Sequence, residues 1–281
     1  MATQKLSFTK MHGIGNDYVY VNCLEHELRQ PSEVSKKISD RHFGIGSDGL
    51  VLILPSKSAD FRMRMFNADG SEAQMCGNAV RCIAKYLFDR GITKNRTIRL
   101  ETNSGVKLLE LDVRNGAVAA VTVDMGEPIL EPMRIPARFP GAKIVAQRVP
   151  DGPPSLLVTC VSMGNPHAVF FVPEITDALV LETGPSIERH SAFPERINVE
   201  FAQVKNRREV SMRVWERGSG ETLACGTGAC AVCVAGVLND VTERAVTVHL
   251  MGGDLAIEWA ADNHVYKTGP ATFVFDGEVE L

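Results

Sequence analysis

Shifted by 149 residues, the separation of Cys76 and Cys225, the chain superposes on itself. Glu72-Ala-Gln-Met-Cys76-Gly77 falls on Glu221-Thr-Leu-Ala-Cys225-Gly226, so a frame of Glu, three residues, Cys and Gly occurs once in each half. The same shift lays Gly15-Asn16 on Gly164-Asn165 and Met63-Arg-Met-Phe-Asn67 on Met212-Arg-Val-Trp-Glu216. A duplication of so long a period calls for two related domains, each offering one thiol. A site between two thiols suits proton transfer by two bases.

The composition allows this. A chain of 281 residues with 44% hydrophobic residues is long enough to build two cores. A net charge of −4, with no block of Lys or Arg, lacks the electrostatic footprint of a nucleic-acid binder and favours small neutral or zwitterionic ligands. No apolar run reaches the roughly 18 to 20 residues of a membrane span, and Met1-Ala-Thr-Gln-Lys-Leu-Ser-Phe lacks the core of a signal peptide, so a cytoplasmic protein without membrane or nucleic-acid partners is expected. Seven cysteines without framework spacing fit a reducing compartment.

Leu6 to Met11 and Tyr18 to Asn22 read as strands around a turn from Gly13 to Asp17, which places Asn16 and Asp17 on a loop. Ser32 to Ser39 reads as a helix, and Leu50 to Leu54 and Phe61 to Phe66 as strands. A helix follows from Asn78 to Arg90, with Arg81, Lys85 and Asp89 as one polar stripe. Strands then cover Ile98 to Thr102, Val106 to Val113 and Ala117 to Asp124, before Gly126, Pro128, Pro132 and Pro136 mark a boundary. The second half repeats the order with strands Leu156 to Val161, Ala168 to Val172, Asn198 to Val204 and Ser211 to Trp215, a Gly-rich loop from Glu216 to Gly220, and a helix from Thr227 to Leu238. That last helix has no polar face and must be surrounded by protein. The expected architecture is α/β (α+β): two pseudo-symmetric domains, each a mixed β-sheet around a central apolar helix that begins beside the frame's cysteine.

The first N–H groups of a helix lack internal partners and carry about half a unit of positive charge, so they attract carboxylates and lower a nearby thiol's pKa. If the two helix starts converge, the N–H groups of Gly77, Asn78, Gly226 and Thr227 can grip one α-carboxylate. That group gains charge as the adjacent carbon loses its proton, so fixed donors favour the transition state. One thiolate would remove the proton from one face while the opposite thiol protonates the other, with neither metal nor pyridoxal phosphate required. Cys82, Cys230 and Cys233, further along the helices, and Cys23 and Cys160, in strands, read as core packing.

These residues, with His12-Gly-Ile-Gly-Asn16-Asp17-Tyr18, Phe66-Asn67-Ala-Asp-Gly-Ser71, Met163-Gly164-Asn165-Pro166-His167 and Trp215-Glu216-Arg217-Gly218, resemble the diaminopimelate epimerase family from Lys10 to beyond Lys267. The resemblance implies cofactor-independent interconversion of LL- and meso-2,6-diaminopimelate in lysine and peptidoglycan-precursor biosynthesis, and a homodimer. It implies one domain of residues 1–126 plus 268–281, to which the last strand returns, a second of residues 127–267, and an active site in the cleft between them. By this resemblance Cys76 and Cys225 are the acid/base pair. Gly77, Asn78, Gly226 and Thr227 form the carboxylate cradle, and Asn67, Asn165, Asn198 and Arg217 hold the distal amino-acid end. Asn16 and Glu216 line the pocket, His167 supports the pair, and Ser47, where the family's motif varies, adjusts pocket polarity.

Three rivals stand beside this reading. Gly44-x-Gly46-x-x-Gly49 matches a dinucleotide fingerprint, but a strand follows it where a helix is required. Cys225-x4-Cys230-x2-Cys233, completed by Cys82 or Cys160, matches the spacing of an iron–sulfur carrier, but Ala229 to Leu238 reads as continuous helix. The third lies within the same fold: proline racemase-like enzymes also use two cysteines, and Asn78, the Gly164-Asn165-Pro166-His167 turn and Arg217 speak against them, while isomerases of the phenazine-biosynthesis type use no such pair and are disfavoured by both thiols.

Overall fold

The computed structural model describes residues 5–153 and 156–281. It divides into two compact units: residues up to Val123 together with Gly269–Leu281, and Asp124–Thr268.

The first unit runs through β1 (Lys5–Gly13), β2 (Asn16–Asn22), α1 (Pro31–Ser39), β3 (Gly49–Leu54), β4 (Phe61–Asn67), β5 (Glu72–Ala73), α2 (Gly77–Asp89), β6 (Thr97–Thr102), β7 (Gly105–Arg114) and β8 (Ala117–Asp124). The second contains β9 (Gln147–Arg148), β10 (Leu157–Ser162), β11 (Pro166–Phe171), α3 (Gly184–Glu188), β12 (Asn198–Asn206), β13 (Glu209–Glu216), β14 (Gly220–Glu221), α4 (Gly226–Leu238), β15 (Ala245–Leu250), β16 (Gly253–Trp259) and β17 (Val265–Gly269). The final strand, β18 (Thr272–Glu280), pairs antiparallel with β1.

The two units share one plan. In the first, β2 pairs parallel with β3 and β4 parallel with β6; in the second, β11 pairs parallel with β12 and β13 parallel with β15. The remaining neighbours within each unit run antiparallel, and α2 and α4 each occupy the crossover between the second parallel pair. α2 at Gly77–Asp89 and α4 at Gly226–Leu238 are separated by the 149 residues of the sequence repeat.

Burial explains the strand compositions. β3 is buried on both sides and reads as a continuous apolar run, and the first five residues of β12 are likewise buried on both sides, whereas β7 and β16 alternate buried and exposed positions. α4 packs against β10, β11, β12, β15 and β16, and Gly228 to Gly236 are all buried, as a helix without a polar face requires. Outside the second sheet, Val180, Ile187 and Phe193 pack with Phe170 and Phe201, whose rings stack at 5.6 Å; in the first unit α1 contributes Val34 and Ile38 to the corresponding layer.

One local expectation changes, and the setting of one polar stripe becomes clear. Asn16 and Asp17 lie within β2, opposite Gly13 and His12, because the loop contracts to Ile14 and Gly15 with φ of 50° and 89°. Positive φ at both central residues matches a two-residue hairpin's twist. The polar stripe of α2 does not face water: Arg81 is 0% exposed and donates to the carbonyls of Pro270 and Gly77, while Lys85 bonds Asp89 and the Val118 carbonyl. Buried cations persist where acceptors surround them.

Among the described residues, no helix is long and apolar enough to cross a membrane.

Burial pushes the Cys82 thiol from an ordinary 9.0 up to about 11 and that of Cys233 up to about 12. Between the unfolded and folded values the native chain binds more protons, so stability is lost as pH rises through that window. Thermal melts should show a steep loss of Tm between pH 9 and 11. At about 1.4 kcal/mol per unit, Cys82 accounts for about 3 kcal/mol. Cys82→Ala should flatten the curve; an unchanged slope would show that Cys82 does not contribute.

Candidate active site

Both frame cysteines are helix N-caps. Cys76 has extended backbone at φ −130° and Cys225 at φ −110°, and the first helical bonds run from Val80 N–H to the Cys76 carbonyl and from Ala229 N–H to the Cys225 carbonyl. The N–H groups of Gly77, Asn78, Gly226 and Thr227 therefore precede the helical ladder and offer themselves to an anion.

In the first unit, the half-buried Cys76 thiol donates to Asn16 Oδ1 at 3.3 Å, and Asn78 Nδ2 donates to the same oxygen at 3.3 Å. Asn16 is held in turn by its own Nδ2 donating to Asp48 Oδ2 at 2.7 Å, and Arg41 Nη2 donates to Asp48 Oδ1 at 2.9 Å. Asn67 ends β4 and donates to Ser71 Oγ at 2.9 Å. Ser47 is buried, with its hydroxyl bonded to the Gly49 carbonyl and to Ser39 Oγ, so its hydrogen bonds brace the backbone around β3.

In the second unit, Cys225 is 4% exposed, and its sulfur accepts from Gly228 N–H at 3.4 Å and lies 3.5 Å from Thr227 Oγ1. His167, 0% exposed, places Nδ1 2.6 Å from Glu200 Oε1 and Nε2 3.1 Å from Asn165 Oδ1. Asn198 donates to the Pro166 carbonyl at 2.8 Å and accepts from the Arg217 N–H at 2.9 Å, tying the first residue of β11 to the residue that follows β13. The Arg217 guanidinium is exposed and donates to the Glu195 carbonyl. Glu216 accepts from Thr222 Oγ1.

The helix start does not lower the Cys225 pKa. Burial pushes this thiol well up, and the Glu216 and Glu200 carboxylates push it further, against weaker opposition from the Thr227 hydroxyl and the Gly228 N–H. Desolvation and two like charges outweigh a partial helix charge, so Cys225 is a thiol at neutral pH. Glu216 is itself raised, first by burial.

Glu200, Lys267, Asp48 and Thr222 were not singled out by their local sequence. Glu200 is 0% exposed inside the apolar run Val199-Glu200-Phe201-Ala202, and an isolated charge in such a run is the mark that points to it. Lys267 is also 0% exposed; its Nζ lies 2.6 Å from where a Cβ on Gly226 would stand, so the ammonium abuts the first residue of α4. Among the described residues, donor atoms of His167, Glu200 and Cys225 lie within 4.8 Å of one another. The 2.6 Å His167–Glu200 contact is a hydrogen bond, whereas two ligands of one tetrahedral zinc stand about 3.3 Å apart. The iron–sulfur spacing lies on continuous helix, with Cys230 and Cys233 buried inside α4.

Solved structures share this fold. A phenazine biosynthesis protein of the PhzF family from Bacillus anthracis matches with a TM-score of 0.72 at 15% identity, covering 99% of this chain and 100% of that one. A hydroxyproline epimerase from Agrobacterium vitis matches with a TM-score of 0.67 at 14% identity, covering 100% and 93%. These likenesses define the class: a two-unit α+β fold of the diaminopimelate epimerase type.

The sequence is more specific. The family model described as diaminopimelate epimerase matches residues 8–131 and 159–274. A diaminopimelate epimerase from Acetivibrio thermocellus is 60% identical, covering 98% of this chain and 99% of that protein, and one from Methanococcus maripaludis is 53% identical, covering 98% and 100%. The chain belongs to the diaminopimelate epimerase family.

Two outcomes check the site. Alkylation by iodoacetamide at neutral pH should label half-buried Cys76 at least about tenfold faster than the buried, protonated Cys225, since the thiolate is the nucleophile; peptide mapping reads the order, and Cys225 reacting first would contradict the environment described for it. A methyl on Gly228 would stand 2.7 Å from Glu200 Oε1 and 3.2 Å from the Cys225 sulfur. Gly228→Ala should therefore cost about 1 to 3 kcal/mol, measured by denaturant unfolding.

Proposed function

We propose that this chain is a cofactor-independent, two-base epimerase that interconverts LL- and meso-2,6-diaminopimelate and so supplies lysine and peptidoglycan-precursor synthesis. The observation that carries the reading is a thiol at the N-cap of an equivalent helix in each unit of a chain 60% identical to a diaminopimelate epimerase.

Both thiols serve one substrate carbon. The sulfur that starts as thiolate takes the α-proton, forming S–H as the C–H bond breaks. The electron pair spreads onto the adjacent carboxylate, and the opposite S–H then delivers its proton to the other face. Cys225, protonated in the free protein, is the donor in the direction that starts from that state. The N–H groups of Gly77, Asn78, Gly226 and Thr227 hold the carboxylate as its charge grows. Asn67, Asn165, Asn198 and Arg217 hold the distal amino-acid end, where the guanidinium pairs with a carboxylate. Asn16 and Glu216 border the thiols, His167 supports Cys225, and Ser47 acts through the backbone it braces. On the family resemblance, the reading includes a cytoplasmic homodimer, in a compartment that keeps both thiols reduced.

Cys76→Ala or Cys225→Ala should lower turnover by at least about 10²- to 10⁴-fold with the fold retained. Near-normal turnover in either variant would defeat the two-thiol mechanism. Proton NMR of LL-2,6-diaminopimelate in deuterated water should show loss of the α-proton signal together with formation of the meso form. Exchange of proline instead would retain the thiol chemistry and overturn the substrate.

A further inference from the structure

Glu200 is a fully buried carboxylate in a strand covered on both sides. Its Oε1 meets His167 Nδ1 at 2.6 Å, while Nε2 on the far edge of the same ring meets Asn165 Oδ1 at 3.1 Å. With the Asn165 amide turned so that its oxygen faces the ring, both ring nitrogens meet oxygen atoms, an arrangement that a ring carrying a proton on each nitrogen satisfies when Glu200 is ionised. Oε2 of Glu200 is buried without a hydrogen-bond partner among the described residues, which leaves the imidazole as the hydrogen-bonded counterpart of this carboxylate. The pair is pressed against the reacting end of α4: Oε1 lies 2.7 Å from where a Cβ on Gly228 would stand, and donor atoms of His167, Glu200 and Cys225 fall within 4.8 Å of one another.

We propose that Glu200 is a positioning residue that holds His167 as a doubly protonated ring beside Cys225, so that the thiolate form of Cys225 has a buried counter-cation. The inference rests on the proposed role of Cys225 as an acid and base.

The charges at this helix start show why the second ring proton matters. Glu200 and Glu216 contribute two carboxylates, Lys267 one ammonium and His167 a cation when doubly protonated. With both carboxylates ionised and Lys267 and His167 both cationic, the group is neutral while Cys225 is a thiol and carries one negative charge when it becomes a thiolate. Without the second ring proton, those states carry one and two negative charges, and an uncompensated charge in a buried setting is costly. Glu200 thus tunes the turnover step rather than substrate binding, because it touches the ring and the helix and has no contact assigned to substrate.

The test is nitrogen-15 NMR of histidine-labelled full-length protein, with His167 assigned from the signals lost in His167→Gln. The wild type should show both His167 nitrogens protonated at neutral pH. Glu200→Gln should leave one ring nitrogen bare and lower kcat by at least about tenfold, short of the about 10²- to 10⁴-fold of deleting an acid or base outright, with KM within about twofold. Glu200→Asp, which keeps the charge, should restore the doubly protonated ring and part of the rate. A singly protonated ring in the wild type overturns the proposal, and so does Glu200→Gln with both ring protons retained and kcat within about twofold. A variant that fails a thermal-melt check is set aside in favour of the wild-type spectrum, which decides the proposal alone. Because that spectrum needs no substrate, a wild type inactive on diaminopimelate would sink the substrate reading without touching this one.

Discussion

A helix start leaves its first N–H groups without partners, and in each unit that end is set at a cysteine on the edge of a buried apolar helix. The rest of each unit follows from accommodating this. α4 carries no polar stripe, so strands must cover it on several sides, and the glycines at its first turn let neighbouring side chains come close. At Gly226 and Gly228 those neighbours are an ammonium and a carboxylate, which approach nearer than any side chain on the helix would allow. The same feature that makes the site crowded makes it charged.

The duplication preserved geometry and let chemistry diverge. Under the 149-residue shift, His167 falls on Tyr18, Glu200 on Val51, Glu216 on Asn67 and Lys267 on Val118. Cys76 consequently meets a neutral amide, whereas Cys225 meets a buried network of ionisable groups. The two thiols therefore stand in unlike surroundings: Cys225 is held protonated by desolvation and carboxylates, and the groups around it set what its ionisation costs.

Fold class was legible because it rests on local patterning. The apolar run from Thr227 to Leu238 demanded a surrounded helix, and alternating or continuous apolar segments marked strands within a few residues of their observed ends. The misjudged loop at Asn16 and Asp17 failed for a local reason: Gly13 and Gly15 suggested a wide turn, but positive φ at Ile14 closed it in two residues. The polar stripe of the first helix was legible as a pattern, but not its setting, in which Arg81 is buried and donates to the carbonyls of Pro270 and Gly77.

The sequence by itself determined the duplication, the two apolar helices and the thiol at the head of each, because repeats, periodicity and capping positions are properties of neighbouring residues. Tertiary structure alone decided the protonation of Cys225. Glu200 arrives from β12 and Glu216 from the end of β13, so their effect on one sulfur depends on distance and exclusion of water. Electrostatic energy follows separation in space and local dielectric, neither of which is ordered along the chain.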